Sequence, residues 1–164
     1  MRVELHRPLL AARIPAEGQE TAVVANPEEC AALARRFGLP AIHALTCRFR
    51  LRPAPGGAIT ADGHLRAELV QVCVVSAEEF PATVEEAFAV RFVPAGTECD
   101  DPDPEAVDEI PFADGRLDLG EAAAEQLALA LDPYPRKPGA DGDAPGRPVA
   151  SSPFASLAAR RRPS

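Results

Sequence analysis

The stretch D-L-G-E-A-A-A-E-Q-L-A-L-A-L-D-P-Y-P-R-K-P, residues 118–138, joins a helix to a rigid basic segment. Asp118 can cap the helix, and Glu121 stands three residues later, where a capping-box acid reaches back. The next turns contain Ala, Leu, Glu and Gln, which all favour helices. An apolar stripe at helical spacing is formed by Leu119, Ala123, Leu127, Ala130 and Leu131. We therefore predict a helix over 119–131 that packs on the core.

A stiff segment follows this helix. Asp132 ends the helix, because the proline after it disfavours the α conformation of its predecessor and lacks an N–H. Residues 133–138, P-Y-P-R-K-P, are predicted to be extended, and we call them the strap. The strap contains the only tyrosine of the chain, Tyr134, and two basic residues, Arg136 and Lys137.

Length and charge distribution predict one domain with a tail. The 164 residues suffice for a single core, and we assign residues 1–138 to one domain and 139–164 to a flexible Gly-, Pro- and Ala-rich tail. The formal net charge is −8, but residues 77–125 alone hold fifteen acids and two arginines. The chain has no apolar run long enough for a membrane span and no secretory signal, so the cytoplasm is the expected compartment.

The remaining patterns predict an α+β fold, an antiparallel meander with two main helices packed on it. Asn26 is followed by a proline and two acids, a strong start for a helix over 27–37. Alternation at period two predicts strands over 45–52, 59–75 and 83–93, with a bulge or two-sided burial near 70–75. Thr21–Ala25 is a shorter candidate strand, and residues 1–20 could add an edge strand. Residues 94–115, acidic and proline-rich, are predicted to be an exposed, partly disordered loop.

Arginines on one face of the meander are the first candidate site. Arg48, Arg50 and Arg52 alternate with apolar residues along one predicted strand, and Arg66 can lie beside them on the next. Such a stripe can contact nucleic-acid phosphates. A solvated outer face of an antiparallel sheet would carry the same charges, and no aromatic residues are interleaved to stack on bases.

The sequence gives little support for a metal site or a catalytic site. The four cysteines are too widely spaced for a zinc site, so Cys30 and Cys47 are predicted to be buried and Cys99 to be an exposed thiol. The three histidines belong to no catalytic motif, and no phosphate-binding loop is present. We therefore expect no enzyme, no cofactor, no metal and no small-molecule substrate.

The tail carries an apolar cluster that could bind a partner. Phe154 and Leu157 are flanked by polar residues and followed by three arginines. A short docking motif with basic steering explains this pattern, and an unstructured terminus explains it equally well.

Four blocks of sequence follow one another in order along the chain. They are N-P-E-E-C-A-A-L-A-R-R-F at 26–37, L-R-A-E-L-V-Q-V-C-V-V at 65–75, the helix and strap start at 118–136, and P-F-A-S-L at 153–157. Together they resemble the YceD family of large ribosomal RNA subunit accumulation proteins: the first resembles its first helix, the second its central strand, the third its most recognisable block and the fourth its C-terminal motif. Some branches carry a Cys-x-x-Cys pair on the central strand, but here Val70 replaces the first cysteine and only Cys73 remains.

The resemblance implies a bacterial cytoplasmic protein, with organellar relatives in plants, that supports accumulation of large-subunit ribosomal RNA. It implies no catalytic residue. We expect a non-enzymatic ribosome-biogenesis factor that binds precursor RNA, an assembly or processing protein, or both. The candidate RNA-binding residues are Arg48, Arg50, Arg52, Arg66, Arg136 and Lys137, and the candidate partner-binding residues are Tyr134, Phe154 and Leu157. The alternative is an adaptor that acts through the acidic loop and the tail without touching RNA.

Overall fold

The computed structural model describes residues 4–97 and 107–138, and in this part of the chain seven strands and two α-helices form. The strands are β1 (Pro8–Leu10), β2 (Gln19–Val24), β3 (Ala41–Pro53), β4 (Ile59–Val72), β5 (Glu79–Pro94), β6 (Asp108–Phe112) and β7 (Arg116–Asp118). The helices are α1 (Pro27–Phe37) and α2 (Leu119–Ala130). The α+β class and the antiparallel meander, here β3-β4-β5, are therefore confirmed.

The main sheet has five strands in the order β2-β3-β4-β5-β6. All neighbours are antiparallel except β5 and β6, which are parallel. The only register shift between β3 and β4 lies between Ile42 and Ala44, whereas the pairs of β4 with β5 run without interruption from Ile59 to Val72. The prediction of a bulge or two-sided burial near residues 70–75 was thus wrong, because β4 pairs without a bulge to its end at Val72, a turn follows, and Val72, Val74 and Val75 are exposed.

Two further details differ from the sequence-based expectation. Part of the segment 94–115, predicted to be a loop, forms β6, and residues 98–106 of it lie outside the described part. The N-terminal segment does not extend the main sheet, because β1 pairs with β7 in a separate two-stranded sheet.

The core lies between the inner face of the sheet and the two helices. The inward side chains of β3 and β4 alternate with exposed ones as predicted, and Leu119, Ala123 and Leu127 of α2 are fully buried. Gln126, which is not a member of the predicted apolar stripe, is also buried, whereas Leu129 is 73% exposed. Because both helices cover the inner face, the outer face of the sheet is left to solvent.

The N-terminal segment holds the two helices together. Asp118 caps α2 by accepting hydrogen bonds from the N–H groups of Gly120 and Glu121, and it also accepts one from the N–H of Arg7 at 2.9 Å. The Arg7 guanidinium binds both carboxylate oxygens of Glu29, the residue that completes the capping box of α1. Glu121 does not reach back to its own cap, because Arg36 of α1 binds its carboxylate.

Candidate nucleic-acid interface

The outer face of the sheet carries the predicted arginine stripe. Arg48, Arg50 and Arg52 are exposed on β3, at alternate positions about 7 Å apart. Strand register places His64 beside Arg48 and Thr60 beside Arg52 on β4. The structure thus brings three of the predicted RNA-binding residues into one row.

A groove of about 550 Å³ opens on this face. Arg48 and Arg50 line it together with His64, Asp62 and Glu20. The small side chain of Ala22, on the edge strand β2, leaves space at the groove. The groove therefore presents two guanidinium groups and an imidazole beside two carboxylates.

Sequence reasoning missed part of this face. His64 has the same orientation as Arg66, two residues further along β4, so the period-two pattern already contained this information. Arg91 of β5 lies opposite Thr60, next to the end of the stripe at Arg52, and its Nη2 donates to the carbonyl oxygen of Pro55 at 3.5 Å. In the described part of the chain, Nε of Arg91 is buried without a hydrogen-bond partner.

Acidic neighbours reduce the positive charge of the face. Arg50 forms an ion pair with Glu20 at 3.1 Å. Arg66 lies on the same face but contacts Glu85 and, at 3.3 Å, Glu68. Within residues 4–97 and 107–138, no ion pair is found for Arg48 or Arg52. These two arginines are thus the most available cations of the stripe.

The strap lies at the other end of the sheet. The carbonyl oxygen of Pro135 accepts a hydrogen bond from the N–H of Val74 at 2.9 Å, and Lys137 forms an ion pair with Glu78 at 2.6 Å. These contacts hold the strap against the turn between β4 and β5. Because Arg52 lies beside Thr60 at the start of β4, the stripe and the strap are separated by about 40 Å along that strand.

Tyr134, predicted to bind a partner, is 73% exposed on the strap. Phe154 and Leu157, the other two residues of this prediction, lie outside the described residues, as does Cys99. Cys30 and Cys47 are buried, as predicted.

A family model matches residues 61–156 of the chain, and its description is "Large ribosomal RNA subunit accumulation protein YceD". The match covers more than half of the sequence. The chain belongs to the YceD family. The comparisons with curated proteins and with solved structures gave no match.

The family match divides the candidate residues. It begins within β4 and includes β5, both short C-terminal strands, α2 and the strap, and therefore Arg66, Arg136 and Lys137. The three arginines of β3 precede it. Assignment to the YceD family thus rests on the second half of the fold and does not depend on the three arginines of β3.

The described part of this YceD-family protein contains no helix that is long and apolar enough to cross a membrane. Within the same residues, no group of three or more His, Cys, Asp or Glu side chains is arranged to hold a metal ion.

Proposed function

We propose that this YceD-family protein is a non-enzymatic factor that supports the accumulation of large-subunit ribosomal RNA by binding precursor RNA. The RNA would lie across the outer face of the sheet, where Arg48, Arg50 and Arg52 form a row. The family description supports ribosomal RNA as the ligand, and the row of exposed arginines supports contact through the phosphates of the RNA. The single observation that carries the proposal is the exposure of Arg48 and Arg52 without carboxylate partners in the described structure.

The chemistry of this face favours contacts with phosphates rather than with bases. Phe49 and Phe88, which the strand register places on either side of Gly63 in the groove lining, point into the core, where their rings meet edge to face at 5.8 Å. Neither ring therefore offers bases a platform on which to stack. Guanidinium groups bind phosphates through parallel hydrogen bonds and do so with any sequence. The proposed contact is thus sequence-independent, and the choice of RNA would come from its shape or from a partner.

The test is the salt dependence of RNA binding. Replacing Arg48 and Arg52 together by Gln should weaken binding of a large-subunit rRNA fragment. If each contacts one phosphate, the slope of log affinity against log salt should fall by about 1.4 to 1.8. Electrophoretic mobility shifts at several salt concentrations would measure it. The matched control replaces Arg13 and Arg35, which are exposed elsewhere, by Gln. Equal losses in the two double variants would contradict the assignment of the stripe.

The strap is tested separately, because it lies at the other end of β4. Replacing Arg136 and Lys137 by Gln removes two charges, but Lys137 already has Glu78 as a partner. We propose that the strap contributes to RNA binding and that its loss flattens the salt dependence less than loss of Arg48 and Arg52. A larger effect of the strap variant would mean that the main RNA contacts lie at the strap end of the sheet and not at the stripe.

A second function is favoured by the ion pairs. Arg50, Arg66 and Lys137 all have carboxylate partners, so at least half of the six candidate RNA-binding residues are already neutralised. A protein adaptor that acts through the acidic segment and the tail would need no RNA contact. A pull-down distinguishes the two functions, because RNA retained at moderate salt supports direct binding, whereas an eluate containing only protein supports the adaptor.

A further inference from the structure

Strand β5 is paired along only part of one edge. It runs from Glu79 to Pro94, and β4 pairs with it continuously from Glu79 to Phe92. On the other side, β6 pairs only with Val90–Pro94. Among residues 4–97 and 107–138, no strand covers the second edge from Glu79 to Ala89. This open edge is eleven residues long, about 36 Å.

The open edge has the properties of a strand-binding site. About every second residue of an edge strand directs its N–H and C=O away from its neighbour, where an added strand can bind them. The inner face of the edge is apolar but incompletely covered, because Val84 and Phe88 are only half-buried. Phe88 is held in place by Gly63 opposite, where even a Cβ atom would lie 2.1 Å from the ring. An added strand would thus cover a preformed surface.

The charges along the open edge select the partner. Residues 79–89 include three glutamates and no basic residue. Glu85 is already bound by Arg66, but Glu79 and Glu86 have no ion pair within the described structure. Glu86 lies on the inner side, between Val84 and Phe88, where a charge discourages pairing with an apolar or acidic strand. A lysine or arginine on the incoming strand would form an ion pair with the Glu86 carboxylate.

The same charges oppose a second copy of this chain as the occupant. Two open edges paired with each other would bring together three glutamates from each copy, and like charges on neighbouring strands are destabilising. The acidic segment 98–106 meets the same repulsion, because it contains five acids and no basic residue.

We propose that the open edge of β5 binds an extended, basic segment of a partner protein by strand addition. The segment would continue the line of β6 along the sheet and place basic side chains near Glu79 and Glu86. This site is independent of the arginine stripe, because it uses an edge of the sheet and attracts positive charge.

A suitable probe alternates valine on its inward side with lysine on its outward side, where Glu79 lies, and carries one further lysine at the inward position beside Glu86. The fluorescent peptide, eleven residues long like the edge, is titrated with the full chain, and binding is followed by fluorescence anisotropy. A second peptide has the same side chains but carries an N-methyl group on every backbone amide. It keeps the charge and cannot donate backbone hydrogen bonds to the edge from either side. We expect the first peptide to bind and the methylated one to bind about tenfold more weakly or worse.

Charge variants locate the site on the chain. Glu86→Lys should weaken binding of the unmodified peptide about tenfold, and Glu79→Lys should weaken it as well. The control Glu17→Lys makes the same charge change in the turn before β2 and should alter the affinity less than about twofold. Circular dichroism confirms that each variant is folded. Equal losses in Glu86→Lys and Glu17→Lys, or equal binding of the two peptides, would mean that the peptide binds only through non-specific charge attraction. Either result would overturn the proposal.

Hydrogen exchange of the free full chain tests whether the edge is open. About half of the amides in residues 79–89 should exchange quickly, because they have no acceptor. Slow exchange of all of them would mean that the edge is already occupied, which also overturns the proposal. Sedimentation then identifies the occupant, because a dimer indicates a second copy and a monomer indicates the chain's own tail.

Discussion

At the scale of single residues, Cys73 differs from the other described cysteines in what surrounds its sulfur. Burial raises the pKa of Cys30, with a smaller contribution from Glu29, and raises the pKa of Cys47 to about 12. Burial also raises the pKa of Cys73, but hydrogen bonds from the Ser76 side chain and from backbone N–H groups stabilise the thiolate. One of these N–H groups belongs to Lys137 of the strap, and the resulting pKa is about 7.

This difference predicts a pH-dependent stability. The pKa of Cys73 is lower in the folded chain than in the unfolded one, so the folded state binds fewer protons between about pH 7 and pH 9. The free energy of unfolding should therefore rise with pH across this window and lose the contribution of Cys73 as the pH falls through 7. Urea unfolding of the wild type and Cys73→Ser at both ends of the window measures it. An equal pH dependence in the two proteins would contradict the prediction, and Cys30→Ser is the control.

The position of the arginine stripe could be predicted from the sequence, but the ion pairs that neutralise part of its charge could not. Alternation along β3 was sufficient to place Arg48, Arg50 and Arg52 on one face. The ion pair between Arg50 and Glu20 depends on the register of β2 against β3, which the sequence of neither strand determines. The contact between Lys137 and Glu78 requires the strap to fold back over 59 residues. Long-range pairings of this kind are invisible to local patterns.

At the scale of elements, the first turn of α2 lies unusually close to the N-terminal segment. A Cβ atom on Gly120 would lie 2.5 Å from the carbonyl oxygen of Leu5. In an exposed helix, Gly→Ala stabilises by about 1 kcal/mol, but here the neighbour is backbone and cannot rotate away. We expect Gly120→Ala to lower the free energy of unfolding by about 1–3 kcal/mol, the usual cost of overpacking.

Urea unfolding at one pH measures this loss, and Glu125→Ala on the exposed side of α2 is the control. If Gly120→Ala were as stable as the wild type, the contact between α2 and Leu5 would not be tight.

Long elements with strong periodicity could be predicted, whereas short ones could not. The capping residues and the glycine at position 38 define α1, and its predicted bounds agree with the structure. β6 has only five residues, one of them a proline, so its sequence shows no alternation that would predict a strand. It pairs in parallel with β5 after a long connection, and such a pairing leaves no local signal. β1 and β7 have three residues each, too few for a periodic pattern, and each is a strand because it pairs with the other.

At the scale of the whole molecule, the two surfaces that we propose for binding carry opposite charges. The outer face has the exposed guanidinium groups of Arg48 and Arg52, while the open edge of β5 has the carboxylates of Glu79 and Glu86. The two surfaces are adjacent, so RNA and a basic protein segment could bind at the same time and neutralise each other's charge. Such an arrangement suits a factor that brings precursor RNA and a basic protein together.

The proposed role can be tested by depleting the protein in its own host. The ratio of large- to small-subunit ribosomal RNA, and the profile of ribosomal particles on a gradient, should show a selective fall in the large-subunit RNA. The wild-type gene should restore the ratio, and so should the control with Arg13 and Arg35 replaced by Gln. The variant lacking the Arg48 and Arg52 charges should restore it poorly if RNA is bound directly, and fully if the protein is an adaptor. An unchanged ratio after depletion would contradict the role in ribosomal RNA accumulation itself, whichever surface is used.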